Sequence, residues 1–135
     1  MTAAPRTATE RAPVHAEVLD CFRAYESALV SGDADALNDW FVDDEATVRF
    51  GVGEEQYGAA AIRRWRRESA AVPAGRALDA TQVIALSEDV AVVTTEFRYP
   101  SSTRIGRQSQ VWIRTALGWR IGHAHVSERA AATTP

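Results

Sequence analysis

Apolar residues recur at Val14, Val18, Phe22, Tyr25 and Leu29, at spacings of three and four. That spacing lines one face of an amphipathic helix over 13–30. Pro13 suits a first turn, where its missing N–H leaves nothing unpaired, and Ser31-Gly32-Asp33 ends the run. Asp33 has the short acceptor side chain that caps a following helix, which carries Leu37, Trp40 and Phe41. The period then changes to two. Across 46–50, alternation puts Val48 and Phe50 on one face of a short strand and Thr47 and Arg49 on the other. A glycine-rich turn through Gly51 and Gly53 leads to a third helix over 57–71, with Ile62 and Trp65 on its apolar side. The remaining periodicity is that of strands. Segments 77–87 and 90–99 form a hairpin through Glu88-Asp89, and 106–115 and 119–127 form another through Leu117-Gly118.

Three helices and one early strand, followed by a four-stranded meander, predict an α+β domain. Its helices lie on one side of a curved antiparallel sheet. Such a sheet, wrapped round a helix, leaves a concave pocket where a ligand can sit. With 135 residues the chain has room for one core, expected over 13–128, between disordered tails at 1–12 and 129–135. The apolar share of 46% and the charged share of 24% are those of a soluble globular protein. A net charge of -3 gives no basic footprint for nucleic acid. The N-terminal segment has no apolar stretch of the secretory kind, and no run approaches the roughly 20 apolar residues of a membrane span. The single cysteine, Cys21, excludes an intrachain disulfide and a cysteine-based zinc site. It reads as a small helix hydrophobe, and a cytoplasmic location is expected.

Few residues offer chemistry. Tyr25, on the apolar face of the first helix, is either a core tyrosine with a backbone partner or a phenol aimed into the pocket, where it can donate a proton. Arg49 is the guanidinium in an otherwise apolar strand. It either faces solvent, pairs with Asp43, Asp44 or Glu45, or faces the pocket and binds a carboxylate with its fork. A cation close to the phenol would favour the phenolate, a usable base. Glu54, Glu55 and Tyr57 read as surface groups at the turn, with one of them a candidate to orient Arg49. Alternation places His123 and His125 on one face of the last strand with Trp119 and Ile121. No third ligand accompanies them and His15 is remote, so no metal site is expected. The Arg63-Arg64-Trp65-Arg66-Arg67 run reads as a solvated helix face paired with Glu68.

The element order resembles the cone-shaped fold of nuclear transport factor two, shared by SnoaL-like and ketosteroid-isomerase-like proteins and also described as cystatin-like. The resemblance extends over about 14–127. Two segments, VRFGVGEEQYGAAAIRRWR at 48–66 and GRQSQVWIR with GWRIGHAHVS at 106–127, are similar to the AtzH-like subfamily. That resemblance implies an association with amidases in cyanuric acid or oxalurate catabolism. It also implies a decarboxylating amidohydrolase activity that converts dicarboxyurea to allophanate. The site it implies is a mostly apolar pocket with a tyrosine from the first helix and an arginine from the first strand, here Tyr25 and Arg49. Ketosteroid-isomerase relatives keep a carboxylate base where this chain has Arg49, which turns the expectation from carbon-acid isomerisation to an anionic substrate.

The expected protein is therefore a cofactor-free hydrolase of a small carboxylated urea or amide, with Tyr25 and Arg49 as its catalytic pair. Gln110, Trp112 and His125 are candidates for the substrate-binding walls, although Gln110 and Trp112 share a face that would also suit a dimer interface. A homodimer is expected through the outer face of the sheet. The alternative is a non-catalytic small-anion binder or an accessory subunit of an amidase, which would not need the Tyr25 proton. A third reading, an isomerase with Asp43 or Asp44 as base, requires one of those carboxylates inside the pocket.

Overall fold

Helix α1 runs from Ala8 to Ser31 in the computed structural model, which describes residues 8–132, with side chains from Arg11 onward. It begins before Pro13, because Ala8, Glu10 and Ala12 favour helix and a proline near a helix start disturbs only the turn behind it. Residues 8–12 of the expected N-terminal tail are thus helical, while 1–7 and 133–135 lie outside the described residues. Helix α2, Ala34–Asp39, is capped as its sequence demands: the Asp33 carboxylate accepts the Ala36 N–H at 3.1 Å.

Strand β1 is Val48–Phe50, and a tight turn returns the chain as β2, Glu55–Tyr57. The sequence reading placed Tyr57 in the third helix and missed β2. Pairing of Val48, Arg49 and Phe50 with Tyr57, Gln56 and Glu55 holds those residues extended, and α3 begins only at Ala59 and ends at Glu68. Strands β3 (Ala77–Ala85), β4 (Val90–Arg98), β5 (Arg104–Thr115) and β6 (Gly118–Ala130) form the expected meander. Strand β6 extends past the expected boundary at 128 because Arg129 and Ala130 still pair with Ile105 and Arg104.

The six strands are ordered β2-β1-β6-β5-β4-β3. All neighbours are antiparallel except β1 and β6, which run parallel. A tight hairpin forces its two strands to be antiparallel, but the whole meander separates β1 from β6, so no such constraint applies to them.

The core lies between α1, α2, α3 and the concave face of the sheet. Phe22, Leu37, Ile62, Val93, Trp112 and Ile121 are fully buried. Trp40 meets Trp112 edge to face at 5.6 Å, and Tyr25 meets Phe41 at 6.3 Å, the geometries that aromatic quadrupoles favour. One irregularity matters for function. Val111 pairs with His123 but Trp112 pairs with Ile121, so Gly122 is the extra residue of a β-bulge in β6. A Cβ there would stand 2.5 Å from Ile113 Cδ1. The extra residue reverses the alternation: Trp119 and Ile121 are buried before it, and Ala124 after it.

Candidate active site

A cavity of about 140 Å³ opens between α1, α3, the segment that follows α3 and the concave face of the sheet. Ligand pockets for drug-sized molecules begin near roughly 300 Å³, so this one suits a smaller guest. Wider depressions of about 430, 460 and 390 Å³ lie elsewhere, lined mostly by exposed and half-buried side chains. Helix α1 brings Tyr25 to the inner cavity on the same buried face as Phe22 and Leu29. The Tyr25 side chain is 3% exposed, and its hydroxyl has no hydrogen-bond partner among the described residues.

Strand β1 is inverted relative to an ordinary half-buried strand. Its polar positions, Thr47 and Arg49, face inward and are buried, while Val48 and Phe50 are only half-buried. Arg49 Nη1 donates to Glu54 Oε1 at 2.9 Å and to Gln56 Oε1 at 3.0 Å. Its guanidinium lies over the Trp65 ring at 4.1 Å. Nε and Nη2 make no hydrogen bond among the described residues, so one edge of the fork remains available. The turn explains how Glu54 arrives. Gly51 N–H donates to the Glu54 carbonyl at 2.8 Å, and a Cβ on Gly51 would fall 1.7 Å from Glu54 Oε1. A side chain at Gly51 would displace that carboxylate from its position against Arg49. Glu54 was expected at the surface, with orientation of Arg49 as the alternative, and the turn realises the alternative. Asp43 instead pairs with Arg63 at 2.9 Å and Asp44 accepts the Ala46 N–H at 2.7 Å. Glu55 and Tyr57 are exposed.

Two further guanidiniums line the cavity. Arg76 donates from Nε and Nη2 to Glu26 at 2.8 and 3.2 Å, from Nη1 to the Tyr99 hydroxyl at 2.7 Å and from Nη2 to Gln108 at 3.2 Å. Gln108 closes the network by donating to Glu26 at 3.2 Å. Burial disfavours the Arg76 cation, but its hydrogen bonds to Glu26 and the charge of that carboxylate outweigh the loss and hold its pKa above the usual arginine value. Arg66 is different. No carboxylate pairs with it among the described residues, and its buried Nε has no partner. It lies over the Trp65 ring at 4.8 Å. Burial pulls its pKa below the ordinary arginine value, attraction to Tyr25 opposes that, and repulsion from Arg49 reinforces it.

Four positions differ from the sequence reading of the arginine-rich helix and the walls: Trp65, Arg66, Trp112 and His125. Trp65 and Arg66 belong to the cavity, so the arginine run is a solvated face only in part. Gln110 does line the cavity, with 1% of its surface exposed. Trp112 does not: it is packed behind the cavity, where its indole N–H donates to Gln110 Oε1 at 3.1 Å. His125 is not in the cavity either. The bulge at Gly122 turns His123 and His125 away from the face of Trp119 and Ile121, to the outer face of the sheet. There they line a groove with Arg107, Ser109, Val111 and Ser127. His123 Nδ1 is 2.7 Å from the Val48 carbonyl, and both histidine rings meet Phe50. No group of three His, Cys, Asp or Glu able to hold a metal occurs among the described residues. No helix of the structure is long and apolar enough to cross a membrane.

Arg66, Arg76, Glu26 and Trp65 were missed as site residues. A signal did exist for Glu26: it stands four residues after Phe22, where the helical period calls for an apolar side chain. For Arg66 and Arg76 the local pattern holds nothing that separates them from surface arginines.

Comparison with known proteins accords with this geometry. A cystatin-like fold protein from Burkholderia xenovorans is 41% identical, with a TM-score of 0.86, and the match covers 89% of this chain and 95% of that one. A protein of unknown function from Pectobacterium atrosepticum is 43% identical, with a TM-score of 0.85, over 88% of this chain and 93% of its own. A nuclear transport factor 2-like superfamily protein from Salmonella enterica serovar Typhimurium shares the fold at 20% identity, with a TM-score of 0.70, over 92% of this chain and 95% of its own. No curated protein matches the chain. The AtzH-like family profile matches residues 7–131, nearly the whole sequence, and the chain belongs to the AtzH-like family.

Proposed function

We propose that this protein is a cofactor-free hydrolase that removes carbon dioxide from a small carboxylated urea or amide of the dicarboxyurea type. The observation that carries the reading is the buried Arg49 guanidinium in one small cavity with the unpartnered Tyr25 hydroxyl. Arg49 offers its free edge to a carboxylate that stays with the product. The second carboxylate is the one lost, and Leu29, Val72 and Val126 form the apolar part of the wall that keeps water from the breaking bond. The N–C bond breaks with its electron pair on nitrogen. Tyr25 gives that nitrogen a proton and recovers one from water, so one carbamate and one proton become an N–H and carbon dioxide. The arginines stabilise the negative charge that spreads onto the urea as the bond breaks.

Carbon dioxide release from freshly made dicarboxyurea, corrected for spontaneous decay, tests this. Tyr25→Phe and Arg49→Ala are each expected to lower turnover at least about 100-fold with the fold intact. A folded Tyr25→Phe protein with the wild-type rate would remove the phenol from the mechanism. An anion-binding protein or amidase accessory subunit is the second reading, favoured by the unpaired Arg66 charge. It predicts tight carboxylate binding with no release above the blank. For either reading we propose a homodimer through the groove on the outer face of the sheet.

A further inference from the structure

We propose that Arg66, together with the side-chain amide of Gln110, forms a second carboxylate subsite in the cavity, so that the site selects a dianion over a monoanion. This rests on the functional reading above and assigns a ligand to two residues that the Tyr25–Arg49 pair leaves unused.

The charges around the cavity do not balance. Arg49 has Glu54 and Arg76 has Glu26, which leaves the Arg66 charge without a carboxylate among the described residues. Its Nε is buried and unpartnered. Arg66 as a residue is half-buried, so water screens its unpaired charge in part, and an arriving anion would still offset the cost of the buried Nε. The second orphan is Gln110 Nε2, also buried and without a partner. Its identity as a donor is settled by chemistry, since the Trp112 indole N–H can only donate and so claims the Gln110 oxygen. Two buried N–H donors with nothing to donate to, both carried by residues that line one cavity, are complementary to an acceptor carrying negative charge. Arg49 and Arg66 approach the same indole, at 4.1 and 4.8 Å, so Trp65 holds both guanidiniums in place. Burial is the main cause of the lowered pKa of Arg66 and repulsion from Arg49 adds to it, and a ligand with a carboxylate for each guanidinium would offset both.

Glutarate tests the subsite without any reaction, because three atoms separate its carboxylates as they do in dicarboxyurea. Butyrate offers the same chain with one carboxylate. Calorimetry on the wild-type protein is expected to show glutarate binding at least about tenfold more tightly than butyrate. Arg66→Met should weaken glutarate about 30-fold or more and leave butyrate nearly unchanged, because its one carboxylate stays on Arg49. Arg49→Met should weaken both. Without ligand, Arg66→Met should melt at a higher temperature than the wild type, since it removes an unpaired, half-buried charge, whereas a structural role for Arg66 would lower the melting point. Equal affinity of the wild type for both acids would overturn the proposal, whether or not the variant folds, as would equal losses for both in Arg66→Met. Glutarate selectivity without carbon dioxide release would leave the subsite standing and refute the hydrolase. Release without selectivity would do the opposite.

Discussion

Glu54 is charged, half-exposed and five residues from Arg49, yet Gly51 determines whether the two meet. Gly51→Ala puts a methyl group where Glu54 Oε1 lies. The Glu54 side chain is flexible and half-exposed and can swing aside, so the expected result is a destabilisation under about 1 kcal/mol with a fall in kcat/KM of about tenfold or more, measured by thermal melting and by carbon dioxide release. If the effect passes through Glu54, adding Gly51→Ala to Glu54→Gln will cost little more kcat/KM, and full additivity would exclude that route. Cys21 illustrates the opposite case, a reactive residue type in an inert setting. Burial raises its pKa, with the nearby Arg120 charge opposing. Iodoacetamide at pH 8 should therefore alkylate it more slowly than a free thiol peptide, and an equal rate would contradict the packing of α1.

Helix α1 ties the site to the sheet at two levels. Near its start, Glu17 accepts from the Trp119 indole at 2.9 Å and from Arg114 at 3.1 Å, on the β5–β6 hairpin. The Trp119 hydrogen bond lowers the Glu17 pKa from 4.5, partial desolvation opposes it and the Arg114 charge assists. A carboxylate whose pKa is lowered in the folded state stabilises the fold above its unfolded value and loses that contribution as pH falls through the folded one. Melting of the wild type should therefore drop on acidification below about pH 4.5 by more than that of Glu17→Gln, by a small margin given the exposure of the group. Deeper along the helix, Glu26 and Arg76 are both buried, and their exchange with water is cut off. Glu26→Gln leaves a buried guanidinium without its counter-charge and is expected to cost about 3–5 kcal/mol in denaturant unfolding. A loss under about 1 kcal/mol would mean that Tyr99 and Gln108 alone satisfy Arg76.

The whole molecule is a cone whose two faces do different work. The inner face gathers Tyr25 and the three arginines. The outer face carries the groove of Arg107, Ser109, Val111, His123, His125 and Ser127, where a second copy is proposed to dock. Light scattering should give about twice the 14.7 kDa of one chain, and Val111→Arg should shift it to one chain with turnover little changed. A wild-type mass of a single chain would remove the dimer from the account.

Periodicity alone was enough to determine the α1 stripe, the Asp33 cap and the two hairpins, because each depends on neighbours within a few residues. Tyr25 and Arg49 stood out as candidates, the first on a helical stripe and the second as the one charge between Val48 and Phe50, but the pattern left a core tyrosine and a surface arginine open, and the AtzH-like resemblance is what pointed both into the pocket. What spacing could not reach were the groups whose meaning lies in distant partners. The residue pairs Arg76–Glu26 and Gln108–Glu26 join segments 50 and 82 residues apart. The bulge at Gly122, which sends His125 outward, arises from the pairing of two strands and has no period of its own. Strand β2 and the parallel β1–β6 contact exist because β1 supplies an edge on each side. Local sequence determined which elements form, through backbone preference and the burial of one face. Tertiary structure decided which of the three cavity arginines meet a carboxylate and which one, Arg66, has none among the described residues, because only folding brings a cation to its counter-charge.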